Sequence, residues 1–185
     1  MMKKKRVVSK SRRSKTGFSL VEMMIALTVL AIGLAGLNAM FVTAMYTNDK
    51  NSHDTAATMV SQLVLEQIKA LPANSTANLV VTDCAGNANT MDTAGGASPT
   101  GAGAPLLSTG NIDQLAAKVP NYSMTYVACA APGGYMQSAY DVRWNVMIID
   151  SDTRLLTVSA RQLNGTRLGA LHYALPVNLR SVGGI

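Results

Sequence analysis

Glu22 is the residue of this sequence whose type and position most strongly suggest chemistry. It is a lone carboxylate at the start of a long uncharged segment, because no charged residue follows it until Asp49. A carboxylate inside an apolar segment is unfavourable unless an opposite charge pairs with it or it stays near the interface with water. The sequence therefore predicts that some partner satisfies Glu22.

The uncharged segment after Glu22 is long enough to cross a membrane. As a helix that rises about 1.5 Å per residue, residues 23–48 would cover roughly 39 Å, which exceeds a hydrocarbon thickness of about 30 Å. The segment before Phe18 contains eight basic residues and no acid: Lys3, Lys4, Lys5, Arg6, Lys10, Arg12, Arg13 and Lys15. Because a basic flank holds its end of a span in the cytoplasm, we expect one membrane span with a cytoplasmic N-terminus.

The residues around Glu22 resemble the class III signal of type IV prepilins. A basic leader ends in Gly17, Phe18 follows, Glu22 comes four residues later, and an apolar helix extends from there. The resemblance implies that a membrane prepilin peptidase cuts between Gly17 and Phe18, and that the new Phe18 amine is methylated. It also implies that Glu22 pairs with the N-terminal amine of a neighbouring subunit. The chemistry is sound, since a carboxylate that meets an ammonium in lipid removes two unpaired charges at one contact.

Three other N-terminal signals share some of these features. An ordinary secretory signal also has a basic front and an apolar middle, and residues 42–44 loosely resemble its cleavage site. However, the apolar segment here exceeds the usual length of about 7–15 residues and contains Glu22. A twin-arginine signal would use Arg12 and Arg13, but the residues after them lack the usual hydrophobic continuation. A plain signal anchor with a chance match to the prepilin pattern is the main alternative.

The full sequence is basic, but its exported part is not. The 185 residues carry a net charge of +6, and the pI is near 9.5. From Phe18 onward, eight basic and ten acidic residues give a net charge of −2. A nucleic-acid-binding face needs clustered lysine and arginine, and these eight are scattered along the sequence. We therefore expect no nucleic-acid partner.

Periodicity predicts one long helix followed by a loop region. The helix is expected over residues 19–71, apolar at first and then amphipathic, with Pro72 closing it. The Ala-, Asn-, Gly- and Thr-rich residues 72–110 predict a long loop with one short strand at residues 79–82, and residues 111–118 predict a brief helix. We expect five segments. Residues 1–17 are a cleaved leader, residues 18–47 the transmembrane half of the helix, and residues 48–72 its amphipathic half. Residues 73–120 form a variable loop region, and residues 121–185 form the sheet of a globular head.

The last third of the sequence predicts four strands. They are expected at residues 122–129, 140–149, 155–163 and 166–179, with Asn164-Gly165 as a hairpin signal before the fourth. In the second strand one face is apolar and the other polar: Val142, Trp144, Val146 and Ile148 against Asp141, Arg143 and Asn145. In the fourth strand, Leu171, Tyr173, Leu175 and Val177 share one side.

Short turns between successive strands imply an antiparallel meander whose apolar face needs a cover, and the amphipathic half of the helix supplies it. The expected fold is therefore α+β. A long N-terminal helix, transmembrane in its first half, packs on a C-terminal four-stranded antiparallel sheet. This arrangement resembles the type IV pilin fold.

Two cysteines, Cys84 and Cys129, follow the predicted span on the side that the topology places outside the cytoplasm. A pair in that position predicts a structural disulfide rather than a redox or metal site, with two free thiols as the alternative.

No enzyme signature is found. His53 and His172 lie in no ligand spacing, and neither a nucleophile elbow nor a phosphate loop is present. Residues 150–152, Asp-Ser-Asp, are typical of a turn, with a cation site as the alternative. We therefore expect a non-enzymatic protein with no catalytic residue, metal or cofactor.

Small residues within the span suggest a surface for helix packing, and part of this stretch resembles one branch of the pilins more specifically. Ala31, Ala35 and Ala39 recur every four residues, which permits close helix contact. Gly33 and Gly36 lower helix propensity, so bending or melting is expected near them. Residues 31–37, Ala-Ile-Gly-Leu-Ala-Gly-Leu, resemble the same stretch of PilV-type minor pilins, the pilus modification proteins.

That resemblance implies a low-abundance subunit that helps to initiate pilus assembly. The partners it implies are the prepilin peptidase, other minor and major pilins, the inner-membrane assembly platform and its lipid, and a tip adhesin. The expected location is the bacterial inner membrane, with the head in the periplasm, and then the pilus at the cell surface. Two rivals remain: a minor pseudopilin of a type II secretion system, and a membrane-anchored periplasmic domain that never assembles.

Overall fold

The computed structural model describes residues 17–129, 137–163 and 176–183. The chain forms two compact units, Met1–Thr47 and Asn48–Ile185. The one helix in the described residues is α1, Leu20–Lys69. The strands are β1 Leu79–Thr82, β2 Ala88–Met91, β3 Gly96–Ala97, β4 Ala102–Gly103, β5 Ser123–Cys129, β6 Gln137–Ile148, β7 Arg154–Gln162 and β8 Val177–Gly183.

Helix α1 confirms the predicted helix to within two residues at each end. Its first hydrogen bond runs from the Met23 amide to the Ser19 carbonyl, and it continues through Gly33 and Gly36 without interruption. The melting expected near the two glycines is not found. The amide of Leu71 bonds to the Ile68 carbonyl in a tighter turn, and Pro72 then follows, which cannot continue a helix.

The sheet of the second unit is an antiparallel meander of β5, β6, β7 and β8, as predicted. It is wider than the four strands expected, because the short strands β3 and β4 also pair with β6, along the edge that β7 leaves open. Strand β8 runs to Gly183, beyond the predicted end at residue 179. The first part of the predicted fourth strand, with Leu171, Tyr173 and Leu175, and the Asn164-Gly165 turn lie outside the described residues.

One face of this sheet and the second half of α1 form the hydrophobic core. Residues of α1 that are spaced three or four apart face the sheet and are buried: Ala57, Val60, Val64, Leu65 and Ile68. They meet the apolar face of the central strands: Val142, Trp144, Val146, Leu156, Val158 and Ala160. The predicted alternation in β6 and the predicted cover by the helix are both confirmed, except that Ile148 at the strand end is 37% exposed.

Arg154 holds the end of α1 from within this core. The side chain is fully buried at the start of β7, and its Nη2 donates hydrogen bonds to the carbonyl oxygens of Ile68 and Leu71. The Leu71 carbonyl lies just after the last turn, where the helix itself supplies no donor, and the Ile68 carbonyl accepts from Arg154 in addition to the Leu71 amide. Burial lowers the pKa of the Arg154 guanidinium. The cation therefore acts as a C-terminal cap of the helix that covers the sheet.

The second face of the sheet is polar and lies under the loop that precedes β5. The buried carboxylate of Asp141 has three cations near it: Nη2 of Arg143 at 3.0 Å, Nζ of Lys118 at 3.1 Å and Nη2 of Arg161 at 3.6 Å. Gln114 of the covering loop donates to the Ser159 hydroxyl at 3.0 Å. Polar side chains of the strands thus hold the loop in place.

The prediction of a helix at residues 111–118 is wrong. Side chains form hydrogen bonds with the backbone groups that a helix would have paired with each other. Oδ1 of Asp113 accepts from the amides of Leu115 and Ala116 at 2.8 and 3.3 Å. Nη1 of Arg143 donates to the carbonyls of Asp113 and Ala116 at 3.3 and 2.7 Å. Short polar side chains of this kind compete with helical bonding. The result is a pinned turn on which Leu115 is 93% exposed.

Candidate processing and assembly site

The bond between Gly17 and Phe18 lies just before α1. Residues 17–19 have no regular secondary structure, and the Phe18 side chain is 85% exposed. No other part of the described chain lies within 4 Å of the position that a side chain at Gly17 would occupy. Exposed, non-helical segments are where proteases cut most readily. The bond between Gly17 and Phe18 is therefore accessible.

Glu22 is the third residue of α1. The amides of a first helical turn have no intrahelical acceptors, and the helix dipole places partial positive charge there, so a carboxylate at this position is favoured. Residues 19–22, Ser-Leu-Val-Glu, also fit the Ser-x-x-Glu capping box. Sequence reasoning missed this box, although the signal is present in the sequence. Among the described residues, the ion pairs all lie beyond Asn48, and none includes Glu22.

The first unit exposes an apolar surface over its whole described length. Every large apolar side chain from Phe18 to Met45 is more than half exposed, from 51% at Leu34 to 85% at Phe18. The helix is long enough and apolar enough to cross a membrane. The hydroxyls of Thr28 and Thr43 donate to carbonyls three and four residues back, so these polar groups need no water. The surface fits membrane anchoring.

The small residues of the span lie on this open surface. Ala31, Ala35 and Ala39 are exposed, and side chains built at Gly33 or Gly36 would meet nothing within 4 Å. At about 100° per residue, the alanines follow one side of α1 and the glycines a neighbouring side. Another helix could approach either side closely.

Cys84 and Cys129 are joined by a disulfide, with their Cα atoms 6.1 Å apart. The bond ties the β1–β2 hairpin to the end of β5. A hydrogen bond of 3.3 Å from the Cys84 amide to the Val127 carbonyl runs beside it. The predicted pair is therefore part of a clamp between the loop region and the sheet.

Asp83, next to the disulfide, is a buried carboxylate that was not among the candidate residues predicted from the sequence. Oδ1 accepts from the amides of Ala85 and Asn87 at 3.0 and 2.8 Å, and Oδ2 accepts from Asn87 Nδ2 and the Val127 amide at 2.9 and 3.2 Å. Burial alone would raise the pKa of Asp83, but these hydrogen bonds outweigh burial and hold the pKa below its usual value. The carboxylate both shapes the hairpin turn and attaches it to β5.

The other candidate side chains that the structure describes make structural contacts. The Tyr140 hydroxyl donates to the His53 carbonyl at 3.4 Å, and Nε2 of His53 lies 3.4 Å from Oδ1 of Asp49. His172 lies outside the described residues. In the 150–152 turn, Oδ1 of Asp150 accepts from the Asp152 amide at 3.0 Å, and this bond lowers the pKa of Asp150. Within the described ranges, no group of three or more His, Cys, Asp or Glu side chains could hold a metal ion.

Residues 12–38 match the family described as the prokaryotic N-terminal methylation motif. The match contains Gly17, Phe18, Glu22 and the small residues at 31–36. No curated protein and no solved structure matches this chain. The motif supports a type IV pilin-like protein, either a pilin or a pseudopilin, and it implies processing by prepilin peptidase and partners of the pilin type.

Proposed function

We propose that this chain is a minor pilin that takes part in the assembly of a type IV pilus. It is a structural protein without enzymatic activity, and prepilin peptidase processes it. The observation that carries the proposal is the match of residues 12–38 to the methylation motif. In the structure these residues include an exposed bond, a carboxylate in the first turn of α1 and a helix with an uncovered apolar surface. Each of these three features has a role in assembly.

Cleavage between Gly17 and Phe18 creates a partner for Glu22. The new N-terminus of one subunit carries an ammonium, which keeps its charge when it is N-methylated. Glu22 of a neighbouring subunit accepts it, and both charges are then paired within lipid or within the filament. Because Glu22 is the one acid between Phe18 and Asn48, this contact fixes the axial register of two adjacent helices.

The uncovered apolar surface is first occupied by lipid and then by other subunits. Contiguous apolar patches of this size on soluble proteins mark membrane or protein contacts. The basic leader holds the N-terminus in the cytoplasm, which places the head in the periplasm. The disulfide between Cys84 and Cys129 suits that oxidising compartment. After assembly, the protein is part of a pilus at the cell surface.

The assignment to the minor pilins rests on residues 31–37 and their resemblance to the PilV-type proteins. In this role the chain joins other minor pilins, major pilins and the inner-membrane assembly platform, and it lies at the initiation or tip complex with an adhesin. Ala31, Ala35 and Ala39 form the ridge along which a second helix approaches.

The first experiment is mass spectrometry of the N-terminus of the protein from cells that contain the native machinery. An N-methylated Phe18 is expected. An intact Met1, or a cut near residue 44, would contradict prepilin processing and return the chain to an anchored or exported domain.

The second experiment measures the role of Glu22 in assembly. Glu22→Ala is expected to be cleaved normally but to enter filaments less, while Glu66→Ala, an exposed acid of the same helix in the second unit, should enter them as the wild type does. Equal incorporation of Glu22→Ala would count against the pairing.

The rival role, a minor pseudopilin of a type II secretion system, shares the same anchor and processing. A strain that lacks this protein separates the two. Loss of surface pili with normal secretion supports the minor pilin, and normal pili with lost secretion supports the pseudopilin.

A further inference from the structure

Leu115 projects from the polar face of the sheet on a turn that two strands hold in place. Nη1 of Arg143 in β6 donates to the Ala116 carbonyl at 2.7 Å, and Gln114 donates to the Ser159 hydroxyl of β7 at 3.0 Å. Residues 113–116 thus form a fixed knob whose leucine side chain is 93% exposed. Single exposed leucines are common on protein surfaces, so the knob gains a meaning only from a site that fits it.

Such a site lies farther along the same two strands, on the same face of the sheet. It is an open groove with a volume of about 680 Å³. Met147 of β6 and Leu155 of β7 are aligned and give its floor an apolar strip. Pro99, Pro105 and Leu107 add apolar surface to its walls. The groove therefore suits an apolar side chain, and it is wide enough to take the tip of a turn.

Opposite charges flank the knob and the groove. On the far side of the knob, the cations of Lys118 and Arg161 are partly exposed beside Asp141. On the far side of the groove, β6 and β7 join through a turn with the exposed acids Asp150 and Asp152. Along the strands the order is therefore cations, knob, groove and acids. At about 3.3 Å per residue, Asp141 and Asp150 are about 30 Å apart on one sheet, so the two charged ends cannot meet within one molecule.

We propose that the polar faces of two copies of the second unit pack against each other with their strands antiparallel. A two-fold axis that crosses the strands near Asn145 brings the knob of each copy into the groove of the other. The same axis places Lys118 and Arg161 of one copy opposite Asp150 and Asp152 of the other. Because one symmetry operation joins both pairs twice, the contact is that of an isologous dimer.

A second copy is the occupant because this one face carries both halves of the contact. With parallel strands, cations would oppose cations and knob would oppose knob, so the charges select the antiparallel arrangement. Burial of the Leu115 side chain supplies the affinity. The proposal concerns the second unit alone and does not depend on a role in a pilus. An N-methylated Phe18 would still support that role if the dimer were not found.

The first test locates the contact by cross-linking. Mature full-length chains with Leu115→Cys are mixed in detergent with chains that carry Ser108→Cys, an exposed residue of the groove, and are mildly oxidised. A cross-linked dimer of the two is expected. Leu115→Cys by itself should cross-link poorly, because the axis holds the two knobs farther apart than the roughly 7 Å between Cα atoms that a disulfide can span. Glu66→Cys, exposed on α1, is the control partner and should not react with Leu115→Cys.

The second test measures the Kd of the dimer by sedimentation equilibrium of the mature chain in detergent. Leu115→Asp should weaken the dimer at least about tenfold, because it moves a carboxylate into an apolar groove. Val80→Asp changes a similarly exposed apolar residue of β1 and should leave the Kd unchanged. Asp152→Lys places a cation opposite the two basic residues and should weaken the dimer about tenfold, whereas Glu66→Lys should not.

A chain that stays monomeric up to about 1 mM, or a Kd that Leu115→Asp and Val80→Asp change equally, would overturn the proposal. A dimer with the same Kd in every variant would be held by the exposed apolar part of α1 and would overturn it as well. Preferential cross-linking of Leu115→Cys to itself would mean that knob meets knob, which contradicts the antiparallel arrangement.

Discussion

The guanidinium of Arg154 donates a hydrogen bond of 2.7 Å to the carbonyl oxygen of Leu71, across 83 residues of sequence. The same Nη2 atom also bonds to Ile68. Nε and Nη1 have no hydrogen-bond partner among the described residues, so only one nitrogen of this buried cation is hydrogen-bonded there. The contact links the first residue of β7 to the end of the helix that covers the sheet.

Replacing Arg154 with methionine should destabilise the second unit. The Leu71 carbonyl would lose the Arg154 donor and the Ile68 carbonyl would keep only the Leu71 amide. A buried polar group left unsatisfied costs about 1–3 kcal/mol. The free energy of unfolding, measured in urea on the full chain in detergent, checks this. Arg161→Met, at a partly exposed position, should cost less than about 1 kcal/mol. A more stable Arg154→Met variant would show that burial of the unpaired Nε and Nη1 outweighs the cap.

Removing the disulfide should loosen the attachment of the β1–β2 hairpin. The bond between Cys84 and Cys129 spans a sequence separation of 45 residues, and closing a loop of that size contributes about 3–4 kcal/mol in the chain-entropy description. The double variant Cys84→Ser/Cys129→Ser should unfold at correspondingly lower urea concentration. Reductant should lower the stability of the wild type by a similar amount and leave the double variant unchanged. A loss of stability below about 1 kcal/mol would mean that the hydrogen bonds of Asp83 attach the hairpin to β5 without help from the disulfide.

Asp83 should make stability fall in acid. Its folded pKa is held below the usual value, so its contribution is fully present above the unfolded pKa of about 3.9 and is lost as the pH falls through the lower, folded pKa. Asp83→Asn should be less stable at neutral pH and should lose less stability between neutral pH and acid than the wild type. Glu66→Gln, which changes an exposed carboxyl outside this cluster, should follow the wild-type curve. Parallel curves for wild type and Asp83→Asn would contradict this role.

Gly17→Val should block removal of the leader. A β-branched side chain before the cleaved bond restricts the backbone that the peptidase must bind. Full-length protein should accumulate, as seen by its intact mass in cells with the native peptidase. Gly36→Val, a similar change within the span, should leave cleavage unchanged. Normal processing of Gly17→Val would show that the exposed position of the bond is sufficient by itself.

The sequence predicts the elements whose side chains repeat with a clear period. The long helix, strand β1 and the alternation of Val142, Trp144 and Val146 all follow from local patterns, because burial on one face imposes the period. The basic leader, Gly17, Phe18 and Glu22 are likewise recognisable without a structure, since their order along the chain is itself the signal.

The parts that could not be predicted depend on distant residues. A turn forms at Asp113 instead of a helix because Arg143, 30 residues away, donates hydrogen bonds to two carbonyl oxygens of the turn. Strands β3 and β4 have only two residues each, too few to show a period, and they form because β6 offers an open edge. The burial of Arg154 was not predicted. Its alternation with Leu156 and Val158 places it on the inner face of the sheet, and this pattern could have predicted the burial.

The pinned turn at Leu115 has a consequence for recognition. A leucine on a mobile loop would lose backbone freedom when a partner covered it, at about 1–2 kcal/mol for each residue that becomes ordered. Here Asp113 and Arg143 have already fixed the turn during folding, so a partner that covers the 93% exposed side chain gains its full hydrophobic contact without that entropic penalty.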